Sequence, residues 1–560
     1  MEVNSQIYHY WRSQCAMKGE KMGKRNSLIK NASVLMVASI ISRIIGLIYR
    51  RPLGEVLGPV GLGYYGYASN LYSILLLISS YSIPMAVSKI VSERLALRQY
   101  KNANKVFRGA LIYAAIVGGA TALVAFFAGR FLLPVNQQNA VPALQVLAPT
   151  IFLSAILGVF RGYFQAHQNM TPTSVSQILE QIMNAIVSIA AATILIRNLA
   201  PVGKEAVYGA VGGTLGTGAG VVAGLAFMIF VYFLNRNVLH RQMGRDRNRK
   251  AESYGTVFRT IFFLMTPIIF TTFINNASTY LDSYIFSSIQ GFHGFSGDQI
   301  SAAYGEFSNY YLPVINIPLA MASASASAMM PEVSSDFALG RNQEASRQIN
   351  QTIRLTMFIS IPATVGMMVL AKPIMGVLFP ASSELAAKLL MTGALYVIFS
   401  SLATITGSVL QSIGQQKSAL VNAGIALLVN LGVLTVLLLV FPKLDIYAVM
   451  AANILFSAVI CVLNSISIRK YLGHRSEWKK TYLQPAIASA GMGLVALGVY
   501  YGLFYLTRRP FIALIVAVIL AVMAYLIFYV VVTGTTKEEM RRFPMGGKVV
   551  RILQILRVYR

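Results

Sequence analysis

The sequence predicts an all-α polytopic membrane protein, and its composition and the length of its apolar runs support this. Of its 560 residues, 56% are hydrophobic and only 12% are charged. Apolar runs longer than the roughly 20 residues that cross a bilayer recur along the chain. These runs are continuous, which excludes a β-barrel, because barrel strands alternate apolar and polar residues over about ten positions.

The same runs give the number and order of the spanning helices. Fourteen are predicted, and the even number places both termini on the same side of the membrane. Their bounds are 28–52, 61–91, 106–129, 142–165, 173–196, 206–234, 258–285, 301–334, 348–370, 384–411, 418–441, 446–468, 482–506 and 510–533.

The formal net charge of +28 is distributed by topology. Basic residues concentrate in segments 12–25, 94–105, 236–250 and 469–480, whereas the loops on the other side carry at most two each. The positive-inside rule therefore predicts that both termini lie in the cytoplasm. The basic excess does not indicate nucleic-acid binding, because it follows the membrane loops.

An internal repeat predicts two related lobes. The segment Tyr65–Tyr72 matches Tyr304–Tyr311 at an offset of 239 residues, with five of eight positions identical. Gln165 and Asn184 match Gln411 and Asn430, both at an offset of 246. Helices 1–6 and 7–12 are then two six-helix lobes in the same orientation, related by a pseudo-twofold axis along the membrane normal. Helices 13 and 14 have no counterpart: they either face lipid or form a groove for a lipid tail.

This arrangement sets the predicted domain bounds. The tail carries polar residues at every third position from Lys548 to Arg560, all of them basic except Gln554, with apolar residues between them. This pattern is typical of an amphipathic helix on anionic membrane lipids; a solvated tail is the alternative. The predicted domains are a cytoplasmic N-terminal tail at 1–27, an N-lobe at 28–234, a basic cytoplasmic linker at 235–257, a C-lobe at 258–470, helices 13 and 14 with their preceding loop at 471–534, and a basic amphipathic tail at 535–560.

Ionisable residues at membrane depth mark the candidate site, because they are costly there unless they face a partner or a watery cavity. Arg43 lies deep in helix 1, and the offset of 239 maps it onto Asp282. We expect the arginine to attract an anionic head group and the aspartate to bind an ion or pair with the arginine. Arg50 and Arg51 either line the same cavity or snorkel to the interface. The other residues expected in the cavity are Ser42, Asn70, Glu306 and Asn309.

Arg161 and Glu180 are interpreted as a structural ion pair that fixes helices 4 and 5 together. Asp282, Asn275 and Asn430 are possible Na⁺ ligands, and coupling to Na⁺ or H⁺ is the alternative to having no cofactor. No P-loop or His/Cys metal spacing occurs, and the five histidines fall in the tail or loops. The sequence therefore predicts a protein that is not an enzyme.

Three segments resemble the multidrug/oligosaccharidyl-lipid/polysaccharide exporter (MOP) superfamily, and within it the MurJ-like lipid II flippase branch and its stage V sporulation protein B relatives. They are Ser42–Gly46 with Tyr49 and Arg50, Ile83–Lys89, and Arg161–Gln165 through Gln177–Gln181. The resemblance implies a V-shaped bundle with a cationic cavity, in which Arg43 matches the cavity arginine of helix 1. Two departures are visible: the next arginine is displaced by one position to Arg50, and Leu312–Asn316 is neutral where the family has another arginine.

The resemblance implies a flippase that exports an undecaprenyl-pyrophosphate-linked cell-wall precursor, with lipid II the leading cargo, by alternating access. The alternatives are a flippase for another polysaccharide-lipid, a cation-coupled multidrug exporter, or a non-transporting scaffold for wall synthesis. We expect a bacterial cytoplasmic membrane location and a functional monomer.

Overall fold

The computed structural model describes residues 38–244, 246, 252–474 and 477–534, together with 537, 547, 550, 551 and 554. Within these, the side chains of 237–243, 264, 267, 268, 270–272, 274 and 275 lie outside the description. The predicted N-terminal tail, residues 245 and 247–251 of the linker, most of the C-terminal tail and the first part of helix 1 fall outside it.

The described chain is helical throughout, and its elements follow the apolar runs. The helices are α1 Ala38–Ile48, α2 Arg50–Leu76, α3 Ile83–Ala96, α4 Tyr100–Leu132, α5 Val141–Ala166, α6 Thr171–Asn198, α7 Glu205–Gly244, α8 Tyr254–Phe292, α9 Gly297–Gly305, α10 Leu312–Ala338, α11 Asn342–Val369, α12 Ala371–Leu378, α13 Glu384–Gly393, α14 Leu395–Ser412, α15 Gln416–Val440, α16 Ile446–Leu472, α17 Gln484–Thr507 and α18 Pro510–Thr533. Short π-helices cover Leu77–Tyr81, Glu306–Tyr311 and Lys479–Leu483, and 3₁₀-helices cover Val135–Ala140 and Pro442–Leu444.

Twelve helical stretches in the described part of the chain are long and apolar enough to cross a membrane. They correspond to all predicted spans except the first and the seventh. Only the second part of the first is described, as α1, and the seventh lies in the 39-residue α8, where part of the side chains is outside the description. The multi-pass helical fold is confirmed, and the count of fourteen stays a prediction.

Helix starts and stops follow local chemistry. Proline occupies the first turn of α3, α6, α17 and α18, where its missing N–H leaves no hydrogen bond unmade. Ser296 caps α9 in a capping box with Gln299. Gly473 and Gly534 end α16 and α18 in the left-handed conformation, which glycine adopts without strain.

Three connections differ from the prediction. Residues 53–60, expected as a loop, are part of α2, with one non-helical residue at Gly58 (φ 64°, ψ 174°) before Pro59. Predicted helix 8 is divided by the π-helix Glu306–Tyr311, and predicted helix 10 is divided into α13 and α14. Hydropathy misses such breaks because the residues on both sides of them are apolar.

The chain forms two compact units. The first comprises Met1–Tyr49, Ala68–Leu133 and Asn139–Phe273, and the second comprises Arg50–Tyr67, Pro134–Gln138 and Ile274–Arg560. The segments Arg50–Tyr67 and Pro134–Gln138 lie inside the predicted N-lobe but belong to the second unit.

The first unit is built around one apolar core shared by α3, α4, α5, α7 and the N-terminal half of α8. The rings of Phe107 and Tyr163 lie 4.4 Å apart at its centre. At one end, the linker residue Glu252 pairs with Arg94 at 2.6 Å. This contact attaches the start of α8 to the unit.

The second unit contains two apolar cores. One is formed by α11, α12, α17 and α18, and the other by α10, α11, α14 and α16, so α11 contributes to both. The helices α17 and α18, which have no counterpart in the repeat, therefore pack on α11 and α12.

Candidate functional site

In the first unit, Arg43 is an exposed cation on α1. Its neighbour Ser42 has a buried hydroxyl oxygen without a hydrogen-bond partner among the described residues. An exposed guanidinium on an apolar helix offers five donors in a planar fork, which suits phosphate oxygens. The structure thus leaves Arg43 available for an anionic ligand.

In the second unit, Arg50 lies against the π-helix that precedes α10. Its Nη1 is 3.3 Å from the carbonyl oxygen of Ser308 and 3.4 Å from that of Asn309. A π-helix disturbs the regular α-helical carbonyl pattern and is frequently found at functional sites. Arg50 was predicted to bind cargo, whereas in the structure its guanidinium donates to backbone carbonyl oxygens.

Arg51 is an exposed residue with two weak contacts. Its Nε lies 3.5 Å from Glu55 Oε1, and the two side chains are 53% and 48% exposed. Its Nη1 lies 3.4 Å from the carbonyl oxygen of Val377. Exposed ion pairs of this kind contribute little to stability, so Arg51 contributes little to holding the fold.

Glu306 and Asn309 are buried in the second unit, at 4% exposure each. The Ser383 N–H donates to Glu306 Oε1 at 2.9 Å, and Asn309 Nδ2 donates to the Leu62 carbonyl at 3.0 Å. Both side chains therefore bind backbone groups of neighbouring segments. Asn70, at the equivalent repeat position to Asn309, belongs to the first unit and is half-buried.

Asp282 is the most deeply buried carboxylate among the predicted site residues, with 1% exposure. Asn430 Nδ2 donates to its Oδ1 at 2.6 Å, and Asn430 is fully buried. Among the described side chains, the second Asp282 oxygen, Oδ2, and Asn430 Oδ1 have no hydrogen-bond partner. The side chain of Asn275, the third predicted Na⁺ ligand, lies outside the described residues.

A buried carboxylate that is bonded to a neutral amide, with no cation paired to it among the described residues, is unstable as an anion. It is stabilised by a proton or by a cation, and oxygen ligands suit a hard cation. Within the described residues no group of three or more His, Cys, Asp or Glu side chains could hold a metal. The pair fits a proton or a weakly bound ion better than a structural metal.

The predicted ion pair between Arg161 and Glu180 is present in the first unit. Arg161 Nη2 lies 2.7 Å from Glu180 Oε2, with side-chain exposures of 16% and 25%. Arg161 Nε also donates to Ser176 Oγ at 3.1 Å. The arginine thus joins α5 to α6 through a charge-assisted pair and a hydroxyl.

A glycine row on α7 positions this pair, and the sequence reasoning missed it. Gly212, Gly216, Gly220 and Gly224 recur every fourth residue and face α6. A Cβ at Gly216 would lie 2.0 Å from Ser188 Oγ, and one at Gly220 would lie 2.5 Å from the Glu180 carbonyl. Small residues at this spacing let two membrane helices approach closely, a signal readable in the sequence.

Asn184, on the same face of α6, joins a neutral network. Ser188 Oγ donates to Asn184 Oδ1 at 2.9 Å, and Asn184 Nδ2 lies 3.4 Å from the Tyr49 hydroxyl. Its repeat counterpart Asn430 instead faces a carboxylate. The same residue type therefore has a structural role in the first unit and an electrostatic one in the second.

Comparison with known proteins places this architecture. A family model described as polysaccharide biosynthesis protein matches residues 28–337, and one described as MatE matches residues 267–436. The chain is 26% identical over 491 residues to the lipid II flippase MurJ of Bacillus subtilis (strain 168), covering 84% of this chain and 88% of that protein. It is 23% identical over 533 residues to stage V sporulation protein B of the same organism, covering 94% and 99%.

Solved structures share the fold at low sequence identity. The inward closed conformation of the lipid II flippase MurJ superposes with a TM-score of 0.64 at 16% identity, over 89% of this chain and 98% of that one. An inward-facing multidrug resistance MATE family transporter of the MOP superfamily gives a TM-score of 0.62 at 15% identity, over 80% and 98%. At these identities the likeness shows the fold alone.

Proposed function

The chain belongs to the polysaccharide biosynthesis protein family of the MOP superfamily, and from this membership we propose that it is a flippase for a polyprenyl-diphosphate-linked saccharide, with lipid II as the cargo. The observation that carries the proposal is a match along 84% of the chain to a protein named as a lipid II flippase. The cargo would move from the inner to the outer leaflet by alternating access.

Arg43 supplies the contact that such a cargo needs. A diphosphate is a strong anion that cannot enter hydrocarbon without large desolvation cost. An exposed arginine on an apolar helix offers bidentate hydrogen bonds to phosphate oxygens while the polyprenyl tail stays in lipid. In a cell negative inside, outward movement of each negative charge is favoured by about 2.3 kcal/mol per 100 mV.

Asp282 and Asn430 would couple transport to a cation. When bound, Na⁺ or H⁺ would neutralise the Asp282 carboxylate, and the Asp282 Oδ2 and Asn430 Oδ1 atoms that lack partners would contact it. Neutralisation removes the cost of a buried charge, so the contact between Asp282 on α8 and Asn430 on α15 would depend on occupancy. We propose that the second unit senses the ion in this way.

A second candidate function rests on the same carboxylate. Cation-exchanging drug exporters use acidic residues at membrane depth, and the MatE match spans residues 267–436, which include Asp282 and Asn430. Under this alternative, the acidic site would bind a cationic drug and the protein would confer drug resistance. Another polysaccharide-lipid remains the alternative cargo within the flippase class.

Depletion of the protein in its native host tests the proposal. Lipid-linked precursors would be extracted and quantified over time, and we expect lipid II to accumulate with its head group on the inner side. Complementation with Arg43→Gln should fail, and complementation with Arg51→Gln should succeed, because Arg51 is exposed and weakly bonded. Accumulation of a different lipid-linked saccharide would identify that saccharide, and not lipid II, as the cargo. Drug sensitivity without accumulation of a lipid-linked precursor would favour the multidrug exporter.

A further inference from the structure

Two cavities of the second unit adjoin each other where α16 connects to α17. One, of about 540 Å³, has an apolar wall formed by residues that include Ile349, Ile353 and Leu402. Arg469 and Trp478 lie at its edge. A cavity of this size can bury most of a ligand as large as a drug or a lipid segment.

The second cavity, of about 570 Å³, is polar and cationic. Arg347, Arg354 and Lys480 line it, and Glu477 is the only acidic residue among its lining residues. The two arginines lie on the N-terminal half of α11, and Lys480 lies in the π-helix before α17. This composition suits a singly charged anionic group.

The two cavities share a wall. His474 lines the apolar cavity, and its Nδ1 lies 2.7 Å from Ser346 Oγ, which lines the polar one. The π-helix Lys479–Leu483 also contributes to both, through Lys480 and Tyr482. A polar, basic cavity thus lies beside an apolar cavity of similar volume.

The apolar cavity opens at the surface of the unit. Its lining includes Ile466 and Trp478, which are 61% and 72% exposed. Trp478 lies 5.3 Å from Tyr482 between ring centroids, and both residue types concentrate at membrane–water interfaces. The basic segment 469–480 is on the side predicted to face the cytoplasm, where anionic lipids are enriched.

We propose that these cavities bind one anionic glycerophospholipid of the inner leaflet, with its phosphate in the polar cavity and an acyl chain in the apolar one. Charge complementarity favours an anionic over a zwitterionic head group, because three basic side chains face one acid. A soluble phosphate would leave the apolar cavity unused. The site lies on α11, α14, α16 and the π-helix, includes neither Arg43 nor Asp282, and does not depend on the proposed cargo.

Trp478 offers a direct reporter. The chain has two tryptophans, Trp11 and Trp478, so Trp11→Phe leaves one emitter at the cavity edge. This full-length variant would be placed in phosphatidylcholine nanodiscs containing increasing fractions of phosphatidylglycerol with brominated acyl chains. A parallel series would use brominated phosphatidylcholine. We expect half-maximal quenching at a mole fraction of phosphatidylglycerol about fivefold or more below that of phosphatidylcholine.

Charge variants identify the site. Arg347→Gln, Arg354→Gln and Lys480→Gln together should abolish the preference for phosphatidylglycerol, whereas Lys417→Gln, an exposed lysine that lines neither cavity, should keep it. If the triple variant fails to fold, the single exposed change Arg347→Gln should lower the preference about fivefold. Equal quenching by the two brominated lipids, or a preference retained in the triple variant, would overturn the proposal.

A competition arm separates the two sources of phosphate. Glycerol 1-phosphate at millimolar concentration should leave the quenching by brominated phosphatidylglycerol unchanged, because it lacks the acyl chain that fills the apolar cavity. Full reversal of quenching by glycerol 1-phosphate would show a soluble-phosphate site and sink the lipid assignment.

Discussion

Equivalent positions of the sequence repeat have opposite environments in the two compact units. Arg43 in the first unit is exposed, whereas Asp282, its match at an offset of 239 residues, is 1% exposed in the second. Asn184 bonds with hydroxyls, whereas its match Asn430 donates to the Asp282 carboxylate. The first repeat therefore exposes a charged side chain at this position, and the second repeat buries one.

The comparison extends to how one acid in each unit is neutralised. The half-buried Glu180 in the first unit has an arginine at 2.7 Å, so its charge is balanced by the protein itself. The buried Asp282 in the second unit has an amide on one oxygen and, among the described residues, no partner on the other. A balanced pair fixes a structure, whereas an unbalanced carboxylate responds to protons or cations. In the proposed function, the first unit holds the cargo and the second responds to an ion.

The largest expected effect is that of Asp282→Asn on transport. The amide cannot bind a proton or cation as the carboxylate does, so the coupling of transport to the ion would be lost. The substitution also removes a buried charge, which should not destabilise the fold. We expect the flipping rate to fall by about tenfold or more, which corresponds to an increase of at least about 1.4 kcal/mol in the barrier. The apparent Tm should stay equal or rise. Glu344→Gln, an exposed acid of α11, is the matched control and should transport normally.

The next effect concerns the stability of the first unit. Arg161→Ala leaves Glu180 partly buried without its partner and should cost about 2–3 kcal/mol, less than for a fully buried pair because both groups keep some solvent. Thermal unfolding in detergent measures it. Adding Glu180→Leu to Arg161→Leu should recover most of the loss. A double variant as unstable as the single one would contradict the interpretation of Arg161 and Glu180 as a structural ion pair that joins α5 to α6.

The two matched asparagines should differ in a third test. Asn430→Ala removes the amide that donates to Asp282 Oδ1 and should lower stability by about 1–3 kcal/mol at a pH where the carboxylate is ionised. Asn184→Ala should cost about 1 kcal/mol, because its partners are neutral. Unfolding curves recorded with and without Na⁺ would give the free energy of unfolding of each variant. Equal losses of stability in Asn184→Ala and Asn430→Ala would contradict the proposed difference between the two asparagines.

Arg51→Gln should have the smallest effect. Its ion pair with Glu55 is long and half-exposed, so we expect a change of about 0–1 kcal/mol that vanishes at high salt. Thermal unfolding at low and high ionic strength would detect it. A loss of transport in this variant would instead place Arg51 among the residues that contact cargo.

Hydropathy and charge predicted the helical membrane fold, because spanning runs and basic loops are statistical properties of long segments. The contact between Arg161 and Glu180 was also predictable from their spacing around Pro172. The bonding of Arg50 to the π-helix Glu306–Tyr311 was not, since π-helices leave no mark in hydropathy. Asp282 and Asn430 were both predicted as possible Na⁺ ligands, but their direct hydrogen bond was not predicted, because 148 residues separate them and local patterns carry no information over that distance.

The most direct test of the central claim is a flipping assay in proteoliposomes that contain fluorescent undecaprenyl-diphosphate-linked saccharide. A membrane-impermeant reagent would report how fast the head group crosses the bilayer. We expect head-group crossing that requires the protein, is lost in the Arg43→Gln variant and persists in the Arg51→Gln variant. Crossing no faster than in protein-free liposomes, or crossing unaffected by Arg43→Gln, would contradict it.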